Sequence, residues 1–254
     1  MYSIERMLVA AWGGALLFLA SLGYCGWFYL VRLGDAAAAA PETSATAIAV
    51  DVALFTTFAL HHSILARTGV KAWVARRLPV GLERSFYVWT ASLLFLAVCL
   101  LWLPLPGTAW RASGPLTWVL HGAQIAGVIV TLRSASRIDI WELAGVRQAR
   151  AAVRTRSFDP ASTQPAKPAT PPAQSALEIH GPYRWVRHPI YFGWVLMVFG
   201  APTMTASRLL FATISTLYLV IAIPFEERSL GEEFGTAYTD YQQRVRWRLV
   251  PGVW

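Results

Sequence analysis

The chain has 254 residues, of which 56% are hydrophobic and only 14% charged, with a mean hydropathy of +0.44. That balance excludes a soluble globular domain and points to an integral membrane protein. Its net charge of +8 would suit a nucleic-acid binder, but on a chain this apolar a basic excess belongs to the loops that orient helices in a membrane, so no nucleic-acid partner is expected.

In chain order, the first apolar run extends from Met7 to Val31. A secretory h-region runs about 7–15 residues and a bilayer span about 20, so this run reads as a retained transmembrane helix, despite the "AAAAAP" stretch after it. Five more apolar segments follow, near 47–65, 85–103, 116–132, 189–202 and 208–225. The expected fold is therefore all-α and polytopic, with about six transmembrane helices. Cys25 and Cys99 fall within these segments, where a thiol acts as a small hydrophobe, and no disulfide framework or metal site is expected.

Charge orients the segments. Lys and Arg crowd the loop after segment two (Arg67, Lys71, Arg76, Arg77, Arg84) and the loop after segment four (Arg133, Arg137, Arg147, Arg150, Arg154, Arg156, Lys167, Arg184, Arg187), whereas the first and third loops carry Arg32 and Arg111 alone. The positive-inside rule places both basic loops, the N-terminus and the C-terminus in the cytoplasm, with the bacterial inner membrane as the expected location.

The fifth segment is short, roughly 20 Å from Ile190 to Pro202 against a hydrocarbon core of about 30 Å, and is expected to form one arm of a hairpin with the sixth, turning at "APTMTAS". Residues 148–176, rich in Ala, Pro, Ser and Thr, cannot build a core and read as a disordered cytoplasmic linker. After Phe225, Leu230, Phe234, Tyr238 and Tyr241 recur at spacings of four, four and three, one face of an amphipathic helix lying at the interface. Gly235 marks a possible break in it. The resulting division is 1–135, helices one to four; 136–178, a basic loop with the linker; and 179–254, the core that would carry chemistry.

Two constellations stand out in that core. In "HGPYRWVRHPIYFGW", residues 180–194, Pro189 suits the first turn of a helix because its missing N–H has no intrahelical partner there. The free amides of that helix start, reinforced by Arg184, Arg187 and His188, would attract an anion, and Tyr191 stands one turn on. Interfacial anchoring is the alternative reading, since Arg, Trp and Tyr gather at membrane boundaries. The second constellation is Glu226 and Glu227, directly after the sixth apolar run. Carboxylates at the mouth of a membrane helix need cations or a polar ligand unless they are simply solvated.

A ligand bearing a carboxylate, a cationic centre and ribose hydroxyls would suit both, and S-adenosylmethionine has all three. Here the chain resembles the membrane methyltransferases that include isoprenylcysteine carboxyl methyltransferase and the phospholipid N-methyltransferases, through "GPYRWVRHPIYFGW" followed, one apolar segment later, by "EERSLGEEFGTAYTDYQQRV". Upstream, "FALHHSILAR", "LERSFYVWTASLLF", "IDIWELAGVRQ" and "GAPTMT" look like the bacterial branch containing methanethiol S-methyltransferase and the NnrU-like proteins.

The resemblance implies S-adenosylmethionine contacts at His180, Gly181, Tyr183, Arg187, His188, Pro189, Tyr191 and Glu226, with Glu227 as a catalytic base on the substrate side. It implies a small or lipophilic thiol as acceptor, approached through the membrane lipid, with an isoprenylcysteine carboxylate or a phospholipid amine as alternatives. The chain departs from the family where Val245-Arg246 replaces the usual Val-Pro after the last helix, and in the length of its 148–176 insertion. From another class, a non-enzymatic NnrU-like haem-binding or assembly protein would use His61 or His62 with His188, His121 lying at the opposite membrane face. Asp51, near the outer end of segment two, is the lone charge at depth, which argues against a transporter.

Overall fold

A computed structural model describes residues 4–36, 44–65, 67–78, 82–136, 146–147, 150, 177 and 179–254. The linker expected over 148–176 lies outside the described residues apart from Arg150, as does most of "IDIWELAGVRQ". The described α-helices are α1 (Ile4–Leu30), α2 (Ser44–Leu65), α3 (Thr68–Ala75), α4 (Glu83–Leu101), α5 (Pro115–Ala135), α6 (Pro189–Phe199), α7 (Ala206–Phe234) and α8 (Thr236–Arg244), with strands β1 (Thr108–Arg111) and β2 (Thr203–Thr205). Five of them, α1, α2, α4, α5 and α7, are long and apolar enough to cross a membrane, and α6 is a shorter apolar helix. The all-α polytopic architecture and its six apolar segments are thus present.

The chain forms two compact units. The first comprises Met1–Leu30, Ala49–Leu103 and Asp139–Pro172. There α1 packs on α4: the Trp89 ring lies over Gly13 and Gly14, and its Nε1 donates to the Ala10 carbonyl at 2.8 Å. On α2, Phe58 faces Phe95 with ring centroids 5.1 Å apart. Asp51 is buried and accepts from the Leu103 amide at 2.8 Å, which ties the end of α4 to α2. Cys25 and Cys99 are buried thiols, neither in a disulfide. His62 meets the Tyr87 hydroxyl through Nδ1 at 2.8 Å, and His61 stacks on the same ring.

The second unit comprises Val31–Ile48, Pro104–Ile138 and Ala173–Trp254. Its fifth apolar segment is helical only to Phe199, and the turn expected at "APTMTAS" contains β2, paired antiparallel with β1 through Thr108↔Thr205, Trp110↔Met204 and Arg111↔Thr203. The Thr205 side chain then caps α7 by accepting from the Arg208 amide at 3.1 Å, and its hydroxyl donates to the Leu33 carbonyl.

At 29 residues α7 is about 43 Å long. It outruns a hydrocarbon core of about 30 Å, so the stretch from Glu226 onward, with Arg228, Glu232 and Glu233, projects beyond it. The interfacial helix expected after Phe225 is therefore two pieces. Its first half continues α7, because Glu226 to Phe234 holds no proline and its one glycine, Gly231, stays helical. The chain breaks at Gly235, whose φ of 56° and ψ of −128° suit only glycine. That break folds α8 back, so that Tyr238, Tyr241 and Val245 pack with Leu230, Phe234, Leu177 and Ile179. The single face read from the spacing is retained across the kink. Gly235→Ala is expected to cost about 1–3 kcal/mol, seen as a lower melting temperature of the detergent-solubilised protein by scanning fluorimetry.

Candidate active site

The expected site residues collect where three pieces of the second unit meet: the segment 179–188, the α7 turn with Glu226 and Glu227, and the C-terminal segment after α8. The first begins with His180, which is exposed and leads into a 3-10 turn over Gly181–Arg184. Gly181 has a φ of 58°, a left-handed conformation that glycine adopts without strain. His188 is the N-cap of α6 and Pro189 its first residue, as the proline rule requires. Tyr191 follows one turn on, and its ring stacks on His188 with centroids 5.5 Å apart and planes 7° from parallel.

The C-terminal segment runs beside 187–188 as a strap. The Arg187 amide donates to the Trp247 carbonyl and the His188 amide to the Arg248 carbonyl, both at 2.9 Å. The Arg187 guanidinium reinforces it, with Nη1 donating to the carbonyls of Val245 at 2.7 Å and Arg246 at 2.9 Å. At the far side the Tyr241 hydroxyl donates to the Tyr183 carbonyl at 2.8 Å. The Val245-Arg246 departure from the family pattern therefore falls on residues whose carbonyls serve Arg187.

Glu227 occupies the centre of this arrangement. It is 6% exposed, and Arg187 Nε reaches its Oε1 at 2.6 Å, His188 Nε2 the same oxygen at 3.4 Å, and Arg248 Nε its Oε2 at 3.1 Å. Burial pushes its carboxyl upward, but hydrogen bonds from His188 and Arg187 and the charges of Arg187 and Arg248 together outweigh that and hold it at about 2. Glu226 differs from its neighbour in being 43% exposed. Its Oε2 accepts from the Tyr191 hydroxyl at 2.7 Å and lies 3.6 Å from His188 Nδ1. His188 thus stands between the two carboxylates.

Tyrosines line the same place. The Tyr183 phenol is raised above its ordinary value by burial and by the charge of Glu226. Tyr238, read from sequence only as part of an apolar face, is pushed up to about 12 by burial and then by Glu227. Its hydroxyl is buried without a hydrogen-bond partner among the described residues, a state that calls for a functional explanation because such a group ordinarily finds one. Burial chiefly, with Tyr238 next, raises Tyr241 as well.

The structure therefore brings Tyr183, Arg187, His188, Pro189, Tyr191, Glu226 and Glu227 into one connected network, with Gly181 at its edge and His180 contributing its carbonyl to the turn through the Tyr183 amide. Sequence reading missed Arg248 and Tyr238. The available signal was the spacing of Tyr238 to Tyr241 on a face already assigned to packing, and an Arg in a tail already assigned to topology.

The Phospholipid methyltransferase family model matches residues 170–237, which hold every expected site residue. Methanethiol S-methyltransferase 2 of Bradyrhizobium diazoefficiens is 37% identical over 234 residues, 92% of this chain and 84% of the relative. Methanethiol S-methyltransferase of Mycobacterium tuberculosis is 36% identical over 249 residues, 95% of this chain and 96% of the relative. A nurim homolog of Drosophila melanogaster is more distant, 27% identical over 75% of this chain and 72% of its own. No solved structure matches. With similarity running through both units and almost the full length of the bacterial relatives, the chain belongs to the methanethiol S-methyltransferase family.

Proposed function

We propose that this membrane methyltransferase transfers the methyl group of S-adenosylmethionine to a small thiol such as methanethiol. The observation that carries the reading is the pairing of an exposed carboxylate, Glu226, with a buried, cation-clamped one, Glu227, at the mouth of an apolar helix. The donor set fits the cofactor. Glu226 offers an acceptor for an ammonium or ribose hydroxyls, the stacked His188 and Tyr191 offer an aromatic wall, and the Tyr238 hydroxyl, without a partner among the described residues, offers a donor.

When bound, S-adenosylmethionine supplies a sulfonium methyl open to in-line displacement by a nucleophile. Gly181, Tyr183 and Pro189 shape the wall, while His180 borders it from the solvent side. Arg187 acts by building that wall, since its guanidinium is 7% exposed and engaged by Glu227 and two carbonyls. Glu227 was expected as a base, but a carboxyl held at about 2 is a weak proton acceptor. We assign it instead the fixing of Arg187, His188 and Arg248. A thiolate needs little further activation, because it is already a strong nucleophile.

The apolar span of α7, exposing Leu217, Ile221 and Phe225, suits an acceptor arriving through lipid. The Lys- and Arg-rich loops support the reading of a bacterial inner-membrane protein with both termini in the cytoplasm. The test is calorimetric binding of S-adenosylmethionine to the detergent-purified chain, followed by methylation of methanethiol against prenylcysteine and amine-lipid acceptors. Saturable binding lost in His188→Ala, with turnover of the thiol, is the expected result. Folded wild-type protein that does not bind the cofactor would overturn the assignment.

A further inference from the structure

We infer that Arg248 is the cation that receives the α-carboxylate of the ligand, with Glu226 opposite it as the anion for the α-ammonium. The inference rests on the cofactor reading above and reassigns a contact that the resemblance gave to Arg187. Four observations carry it.

Arg187 is spent. Its Nε lies on Glu227, its Nη1 serves two backbone carbonyls, and its side chain is 7% exposed. Arg248 is 37% exposed and is held at one edge only, through Nε on Glu227 at 3.1 Å. Among the described residues its two terminal nitrogens make no hydrogen bond, although the guanidinium is steadied over the Trp254 ring at 5.4 Å. That leaves the N–H pair of a planar fork, aimed away from its anchor, in the geometry that suits a carboxylate.

The backbone places this fork at the site. The His188 amide donates to the Arg248 carbonyl, so the residue is pinned beside the helix start that carries His188 and Tyr191. From Arg248 the contacts run through Glu227 to His188 and on to Glu226. The two exposed charges at the ends of this chain have opposite sign, which is the pattern a free amino-acid moiety presents in reverse. Glu227 and Arg187, buried between them, balance each other and leave the ends free to answer the ligand.

The test compares two ligands on the full-length, detergent-purified chain by titration calorimetry. S-adenosylhomocysteine carries the amino-acid moiety, and 5′-methylthioadenosine has the same nucleoside and sulfur without it. Arg248→Ala is expected to weaken S-adenosylhomocysteine by about tenfold to a hundredfold, the range for a charge-assisted hydrogen-bond pair, and to leave 5′-methylthioadenosine within about twofold. Arg248→Lys, which keeps the charge on Glu227 but not the fork, should give an intermediate loss and controls for folding. Equal weakening of both ligands would overturn the proposal in favour of a purely structural strap, as would no weakening of either. Wild-type protein that binds neither ligand would fail the cofactor reading itself, a result separable from any property of Arg248.

Discussion

Glu227→Gln is expected to abolish cofactor binding and methyl transfer together, and to lower stability by about 3–5 kcal/mol, the usual cost of removing one partner from a buried ion pair. Glutamine keeps the shape of the side chain but leaves the buried Arg187 guanidinium facing Arg248 and His188 with no anion between them. The strap 245–248 would loosen with it, because Arg187 also holds the carbonyls of Val245 and Arg246. Thermal unfolding and S-adenosylhomocysteine titration check both parts. Retained affinity with a selective fall in turnover would restore the base role to Glu227. Its folded carboxyl lies below the ordinary value of 4.5, so its stabilisation is complete above about pH 4.5 and is lost as pH falls toward about 2. The stability advantage of the wild type over Glu227→Gln should vanish across that interval.

Helix positions were legible because bilayer thickness imposes a length on apolar runs that a single sequence displays. The face Leu230, Phe234, Tyr238, Tyr241 was legible too, since period alone places side chains on one side. Its breakage at Gly235 into a α7 extension and a folded-back α8 was only half legible: a glycine permits a turn, but the packing of Tyr238 and Tyr241 on Leu230 and Phe234 decides that it is used. β1 and β2 carried no signal, for "TAWR" and "TMT" are too short to show alternation, and their pairing joins segments some ninety residues apart. The motif showed which residues would meet but not how they divide the work. Glu226 and Glu227 are adjacent in sequence and point one to solvent and one to a cage, and that distinction comes from a C-terminal strap whose register on 187–188 no local pattern encodes.

Gly193→Ala is expected to cost about 3 kcal/mol, at the upper end for overpacking, and to weaken S-adenosylhomocysteine binding although Gly193 is not itself one of the site residues. The reason lies in how α6 is held. At 11 residues it is about 16 Å long, too short to cross the hydrocarbon by itself, and it lies against α5 with backbone nearly on backbone. A Cβ on Gly193 would sit 2.6 Å from the Gly127 carbonyl oxygen and 2.9 Å from the Thr131 amide, and would also strike the Thr131 hydroxyl. A Cβ on Gly127 would meet the Gly193 carbonyl at 2.5 Å and the Met197 amide at 2.7 Å. All of these but the Thr131 hydroxyl are main-chain atoms and cannot rotate away, so the helices must separate. Among lipid tails no hydrophobic gain would draw them together again, since close packing and polar contacts such as Gln124 to the Met197 carbonyl do that work. The start of α6 carries His188, Pro189 and Tyr191, so the displacement reaches the proposed ligand wall. Gly26→Ala is the control: a Cβ there meets nothing within 4 Å, so affinity should be unchanged and stability should rise by about 0.5–1 kcal/mol, the usual gain for alanine over glycine inside a helix. Wild-type melting temperature and affinity in Gly193→Ala would show that α6 is positioned by its hydrogen-bonded neighbours at the site and not by α5, which would move the origin of the site's geometry to the strap.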